Sequence, residues 1–167
     1  MKRFFPVWTL LVCAALMSGC GYELVKEKGI YGGEISSIYL PVFKNNSFEP
    51  LASGVFTQAF SMEMAGSGLF QLNKADADAT LQGNIMAVTT SPGPIGATGQ
   101  TVQKVVSANI SLTLTKQGKR LKTWSFSDSD VYDASTINIE EPGRRAALQR
   151  IAMRIARRFH IQVLSVY

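Results

Sequence analysis

The residues whose types and order point to covalent chemistry are Leu16-Met17-Ser18-Gly19-Cys20, where a short apolar run ends in two small residues followed directly by a cysteine. That order fits a bacterial lipobox, with cleavage before Cys20, a diacylglycerol on its thiol and an acyl group on the new amine. A plain secretory signal also ends in small residues, so the adjacent cysteine is what points to lipid attachment. Met17 stands where leucine is commoner, and Leu16 lies one place too early. Upstream, Lys2 and Arg3 form a basic n-region, and Phe4 to Met17 forms an apolar h-region interrupted by Pro6 and Thr9. This run is shorter than the ~20 apolar residues that span a bilayer, and no later stretch qualifies. The expectation is export and anchoring without a membrane-crossing helix.

Other chemistry-bearing residues are sparse. Cys13 would leave with the leader and Cys20 would be consumed by lipid, which excludes a disulfide framework, thiol catalysis and cysteine-ligated zinc in the mature chain. Asp128, Asp130 and Asp133 alternate in what reads as a loop. They could hold calcium weakly, but no EF-hand glycine or closing glutamate follows, and solvated acids are the plainer reading. Gly93, Gly96 and Gly99 lack the Gly-Lys-Ser/Thr ending of a phosphate cradle and run into a strand instead of a helix. His160, the sole histidine, follows Phe159 in a helical segment, with neither nucleophile nor carboxylate indicated beside it. A catalytic triad, a metal site and a cofactor are all unsupported, and no enzyme is expected.

The net charge of +5 falls once Lys2 and Arg3 leave with the signal. A nucleic-acid reading thereby loses most of its support and no nucleic acid is expected as a partner; acidic lipid or saccharide surfaces are the more plausible anions. The chain divides into a signal peptide (1–19), a lipidated tether (20–33) with a short strand at Tyr22 to Val25, and one domain (34–167). About 150 mature residues suffice for a core without staples.

Glu34 to Phe43 reads as a first strand, broken by Asn45-Asn46-Ser47. Pro50 suits the first turn of a helix, with Ser47 or Glu49 as its cap. Leu51, Val55, Ala59 and Met62 recur at helical spacing, Phe56 and Phe60 widen the stripe, and Gly66-Ser67-Gly68 closes it. Leu69 to Leu72 is a short β-like run, Asn73 to Ala79 a polar turn, and Thr80 to Thr90 a further strand. Ser91 to Gln100 is a Gly/Pro loop. Thr101 to Thr115 alternates most clearly, Val102, Val106, Ala108, Ile110, Leu112 and Leu114 sharing one face, so only one face is buried, as in an antiparallel sheet. Lys116 to Lys119 turns the chain, Arg120 to Asp130 returns, and Asp128 to Ile139 reads as loop. Glu140-Glu141-Pro142 opens a last helix in which Leu148, Ile151, Ala152, Ile155, Phe159 and Val163 oppose Arg150, Arg154, Arg157 and Arg158. The fold class is α+β: a single sheet of about four strands with two helices packed on one face, in the order β-α-β-β-β-α.

Gly19-Cys20-Gly21-Tyr22, Ile38 to Pro50 (IYLPVFKNNSFEP) and Ala77 to Ile85 (ADATLQGNI), in that order of elements, resemble the lipopolysaccharide-assembly lipoproteins of the LptE type. The resemblance implies a non-enzymatic plug seated in a large outer-membrane β-barrel, LptD, which helps assemble lipopolysaccharide. It also implies a lipid-anchored protein on the periplasmic side of the outer membrane, with which Gly21 agrees. The bland alternative is a lipid-anchored binding or structural subunit of another envelope complex. Members of the family contact lipopolysaccharide through basic residues in loops at one end of the sheet. Here Ser91 to Gln100 carries no Lys or Arg, and Lys104 is the first cation beyond it. Lys116, Lys119, Arg120 and Lys122 could pair with lipid A phosphates, or they form a solvated basic hairpin that discourages strand pairing. The arginine stripe of the last helix could meet head groups or an acidic barrel wall, or it keeps the helix soluble.

Overall fold

The computed structural model describes residues 29–30, 33–72, 76–93 and 103–164. The signal peptide, Cys20, the Tyr22–Val25 strand and most of the Ser91–Gln100 loop lie outside the described residues. The element order is β1 (Ser37–Tyr39), β2 (Lys44–Asn45), α1 (Ala52–Ser67), β3 (Gln71–Leu72), β4 (Ala79–Pro92), β5 (Gln103–Lys116), β6 (Lys119–Asp133) and α2 (Ile137–Leu164). One mixed sheet runs β3-β1-β4-β5-β6, and β2 also pairs with β4. Its six strands exceed the expected four because Lys44–Asn45, past the predicted end of the first strand at Phe43, pairs with β4, and the Leu69–Leu72 run joins the sheet. The break between β1 and β2 falls at Leu40–Phe43, where Pro41 has no N–H to give a ladder.

β1, β2 and β3 are short and pair in parallel, while β4, β5 and β6 are long and antiparallel. Gln117 and Gly118, both at positive φ, close the β5–β6 hairpin in two residues, the geometry that matches strand twist. Leu81, Ile85, Ile110, Leu112 and Leu114 line one face of the sheet and are buried under both helices. Phe159 of α2 joins the layers. Its ring centroid lies 5.7 Å from Phe60 of α1 and 5.1 Å, edge-on, from Trp124 of β6, and Phe60 in turn lies 5.0 Å from Phe43.

Three expectations need correction. The buried stripe of α1 is Ala52, Phe56, Ala59, Phe60 and Met64, while Met62 is 55% exposed. Met62 is two residues, about 200° of helix, from Phe60, so the Phe56-Phe60-Met64 ridge turns it to the rim. Neither proposed side chain caps α1: Leu51 holds the N-cap without a side-chain bond, although the Glu49 carboxylate accepts the Leu51 N–H at 3.4 Å. Gly68, in the left-handed region, ends the helix. Finally, Asp128 to Ile139 is not a loop. β6 continues to Asp133, and α2 begins at Ile137, its first turn anchored where the Thr136 carbonyl accepts N–H bonds from Ile139 and Glu140.

Candidate interaction site

The five cations named as contact candidates fall into two groups. Lys104 lies on the helix side of β5 and donates to Glu140 at 2.5 Å, a hydrogen bond that raises its pKa. Lys116 reaches Glu34 at 3.2 Å, and the Lys122 ammonium stands 5.4 Å from the Trp124 ring centroid. Lys119 and Arg120 are exposed at the hairpin end and have no ion-pair partner among the described residues. Cys20 lies outside the described residues.

The arginine stripe faces neither solvent alone nor an empty surface. Arg150 Nε donates to Asp130 at 2.7 Å, Arg154 Nε to Asp128 at 2.8 Å, and Arg154 Nη1 to Asp130 at 3.2 Å. Arg158 stands 3.6 Å from Asp128. The same guanidinium groups also donate to backbone carbonyls of β6: Arg150 to Val131, Arg154 to Ser129 and Arg158 to Ser127. The match is geometric. Four residues of helix rise about 6 Å and two residues of strand about 7 Å, so arginines at every fourth position meet strand residues at every second. Burial alone would raise the Asp130 pKa, but the Arg150 and Arg154 hydrogen bonds outweigh it and hold the carboxyl below its usual range. The Asp128 hydrogen bond raises the pKa of Arg154. Of the acids read as solvated loop residues, all three lie in β6, Asp128 and Asp130 hold the helix, and Asp133 accepts the Ser135 N–H. His160 also gains a carboxylate, its Nδ1 lying 2.7 Å from Glu63 Oε1 across the two helices.

Two further features escaped the sequence reading. The first is the loop between β2 and α1. Asn45 Oδ1 accepts from the Ser47 N–H and hydroxyl, Asn45 Nδ2 donates to the Glu49 carbonyl at 2.7 Å, and the Asn46 N–H donates to the Ile85 carbonyl at 2.9 Å. Asn46 Nδ2 reaches Asn84, and the buried Glu49 carboxylate is paired with Arg144 of α2. This fastened loop holds out Phe48, which is fully exposed. Val42 just before it and Met86, at the β4 bulge, are exposed too. The signal available in the sequence was an aromatic set among turn-forming Asn and Ser residues and outside every periodic stripe.

The second feature is the open face of the sheet. The register aligns Gln82-Thr113-Thr123, Asn84-Ser111-Ser125, Ala87-Asn109-Ser127 and Thr89-Ser107-Ser129 in rows across β4, β5 and β6. Between Arg120 and Asp133 at their two ends, the rows of β4, β5 and β6 carry no charged side chain, and Lys44 of β2, paired with Asn84, stands at their border. A groove of about 430 Å³ is cut into it by Pro41, Val42 and Lys44 beside Gln82, Asn84, Ser111 and Thr113. Gly83 lies under the groove because a Cβ there would meet the Phe43 ring. Such a surface offers hydroxyl and amide groups at fixed spacing and two or three apolar anchors, with no nucleophile held by a base. It suits docking against another macromolecule, since protein interfaces gather aromatic and Met side chains and exclude charge from their centres.

Comparison with known proteins agrees with this architecture. A crystal structure of a minor lipoprotein from Acinetobacter baumannii superposes with a TM-score of 0.53 at 9% identity, covering 77% of this chain and 91% of that one. The rare lipoprotein B from Shewanella oneidensis superposes at 0.54 and 12% identity, covering 77% and 95%. At these identities the likeness shows the fold alone. A comparison with curated protein sequences gives no match. The model of the LptE lipopolysaccharide-assembly family matches residues 35–163, from the segment leading into β1 to the last turn of α2. The chain therefore belongs to the LptE family, a family of non-enzymatic lipoproteins that serve lipopolysaccharide assembly.

Proposed function

We propose that this protein is a lipid-anchored plug of a large LptD-like outer-membrane β-barrel, held at the periplasmic face by Cys20, and that it assists lipopolysaccharide assembly without making or breaking a bond. The observation that carries the reading is the uncharged hydroxyl and amide face of β4, β5 and β6, bordered by the fastened loop that presents Phe48. The lumen of a wide barrel is polar, so a plug needs a face that hydrogen-bonds without burying unpaired charge. On the helix side Arg144, Arg150, Arg154 and Arg158 are paired with Glu49, Glu141, Asp128 and Asp130. Several buried acyl chains, at ~0.8 kcal/mol per methylene, make the anchor effectively permanent and keep the domain concentrated at the barrel. Of the five candidate cations, Lys119, Arg120 and Lys122 have no ion-pair partner among the described residues and could meet lipopolysaccharide phosphates, whereas Lys104 and Lys116 are engaged within the chain.

Purification of the full chain from outer membranes in mild detergent tests this. A large barrel is expected at near-equal stoichiometry, and its absence would sink the proposal. Phe48→Ala should leave stability within about 0.5 kcal/mol of wild type, because the ring has no packing to lose, yet weaken retention of the barrel. Depletion of the protein should reduce surface lipopolysaccharide.

A further inference from the structure

We infer that the outer edge of β6 is a latent pairing surface for the β6 of a second copy of this chain, and that the ladder of Arg150, Arg154 and Arg158 keeps it closed. β6 ends the sheet, so alternate backbone groups along it have no neighbouring strand. Gly93 N–H donates to the Gln103 carbonyl at 2.9 Å, which fixes the alternation in β5: odd-numbered residues bond toward β4 and even-numbered ones toward β6. Their partners Asp128, Asp130 and Tyr132 therefore bond inward, and Ser127, Ser129 and Val131 direct their N–H and C=O groups outward.

Side chains cover five of those six outward groups. The three carbonyls accept from Arg158, Arg154 and Arg150, and the Ser129 and Val131 N–H groups each donate at 2.9 Å to the carboxylate of the preceding aspartate. Five edge groups that would template another strand are thus satisfied within the chain, which is how an edge is protected from strand addition. The arginines fix the aspartates, so one set of ion pairs closes both donors and acceptors.

The occupant follows from the charge order of the strand. β6 begins with Lys119, Arg120 and Lys122 and ends with Asp128, Asp130 and Asp133. Paired antiparallel with itself about Phe126, it sets Lys122 opposite Asp130 and Ser125 opposite Ser127, with odd-numbered, outward-bonding residues facing each other on both copies. A two-fold contact must be self-complementary, and this sequence is. Asp130, which would receive Lys122 of the second copy, is the carboxylate that Arg150 and Arg154 now hold.

The test is sedimentation equilibrium of the full chain in mild detergent. Wild type should remain monomeric through the micromolar range. Arg150→Gln, Arg154→Gln and Arg158→Gln together should shift it to dimer, and adding Lys122→Glu should restore the monomer. Should the triple variant fail to fold by circular dichroism, Arg154→Gln alone, which removes two ion pairs and the Ser129 carbonyl bond, should tighten self-association at least tenfold. The inference is overturned if a folded ladder variant stays monomeric, if wild type dimerises equally well, or if Lys122→Glu leaves the dimer intact.

Discussion

Replacing Gly83 with alanine isolates the packing that shapes the groove. Gly83 sits in the middle of β4 with its α-carbon toward the core, and an added Cβ would lie 2.4 Å from two carbons of the Phe43 ring and 2.5 Å from a third. Carbon atoms pack at about 3.5 to 4.0 Å, so the ring must retreat by about 1 Å. It has nowhere free to go: Phe43 is buried, Phe60 stands behind it at 5.0 Å, and the Phe43 carbonyl and N–H are held by Ser53 and Thr57 of α1. Overpacking of this kind costs about 1 to 3 kcal/mol, with a small further penalty or gain from the backbone entropy of glycine. For a domain of this size that corresponds to a fall in melting temperature of roughly 3 to 12 °C. Urea and thermal unfolding followed by circular dichroism would measure it. The decisive comparison is the double variant with Phe43→Leu. If the clash is the cause, the smaller side chain should recover part of the loss, so the two substitutions should be less damaging together than their sum. A Gly83→Ala protein within 0.5 kcal/mol of wild type, or strictly additive effects, would refute the reasoning.

Two other perturbations follow from single contacts. Asp78 Oδ2 accepts from the N–H and hydroxyl of both Ser36 and Ser37, and the Ser37 hydroxyl bond, followed by the backbone bonds, lowers its pKa from 3.8 to about 2. A depressed folded-state pKa means stability that is present above about pH 4 and lost as pH falls through 2. Asp78→Asn should therefore be less stable at neutral pH, and the gap to wild type in urea titrations should close between pH 4 and 2; a gap independent of pH would contradict the assignment. Arg144→Ala would strand the buried Glu49 carboxylate and should cost about 3 kcal/mol, part of it recovered when Glu49→Gln is added. Equal losses in the single and double variants would show that the arginine acts through packing instead.

The long elements were legible because their periods are long. Val106 to Leu114 alternates and its apolar set is buried, and Leu148 to Val163 recurs at helical spacing and is buried in full. The short strands were not: β1, β2 and β3 have two or three residues each and exist because longer neighbours pair with them, a condition no local window contains. Asp128 to Asp133 misled for a related reason. Alternating acids look like loop in a window of polar residues, yet Arg150, Arg154 and Arg158, some twenty to thirty positions downstream, make them strand by satisfying both their charges and the edge backbone. Of the cations singled out, only geometry separates Lys104 and Lys116, held by Glu140 and Glu34, from Lys119 and Arg120, which have no such partner among the described residues.

The sequence by itself determined the layers. Apolar periods of two and of 3.6 dictate a sheet under two helices, and the family is carried by residues 35–163. Tertiary structure alone decided how charge is distributed. Helix α2 lies antiparallel along β6, so a stripe that could have met lipid or a barrel wall, or only kept the helix soluble, bonds to the strand edge instead, and the opposite face of β4, β5 and β6 is left uncharged between Arg120 and Asp133. The reason is that ion pairing depends on distances of 3 to 4 Å between residues far apart in the chain, whereas periodicity records only which side of its own element a residue occupies.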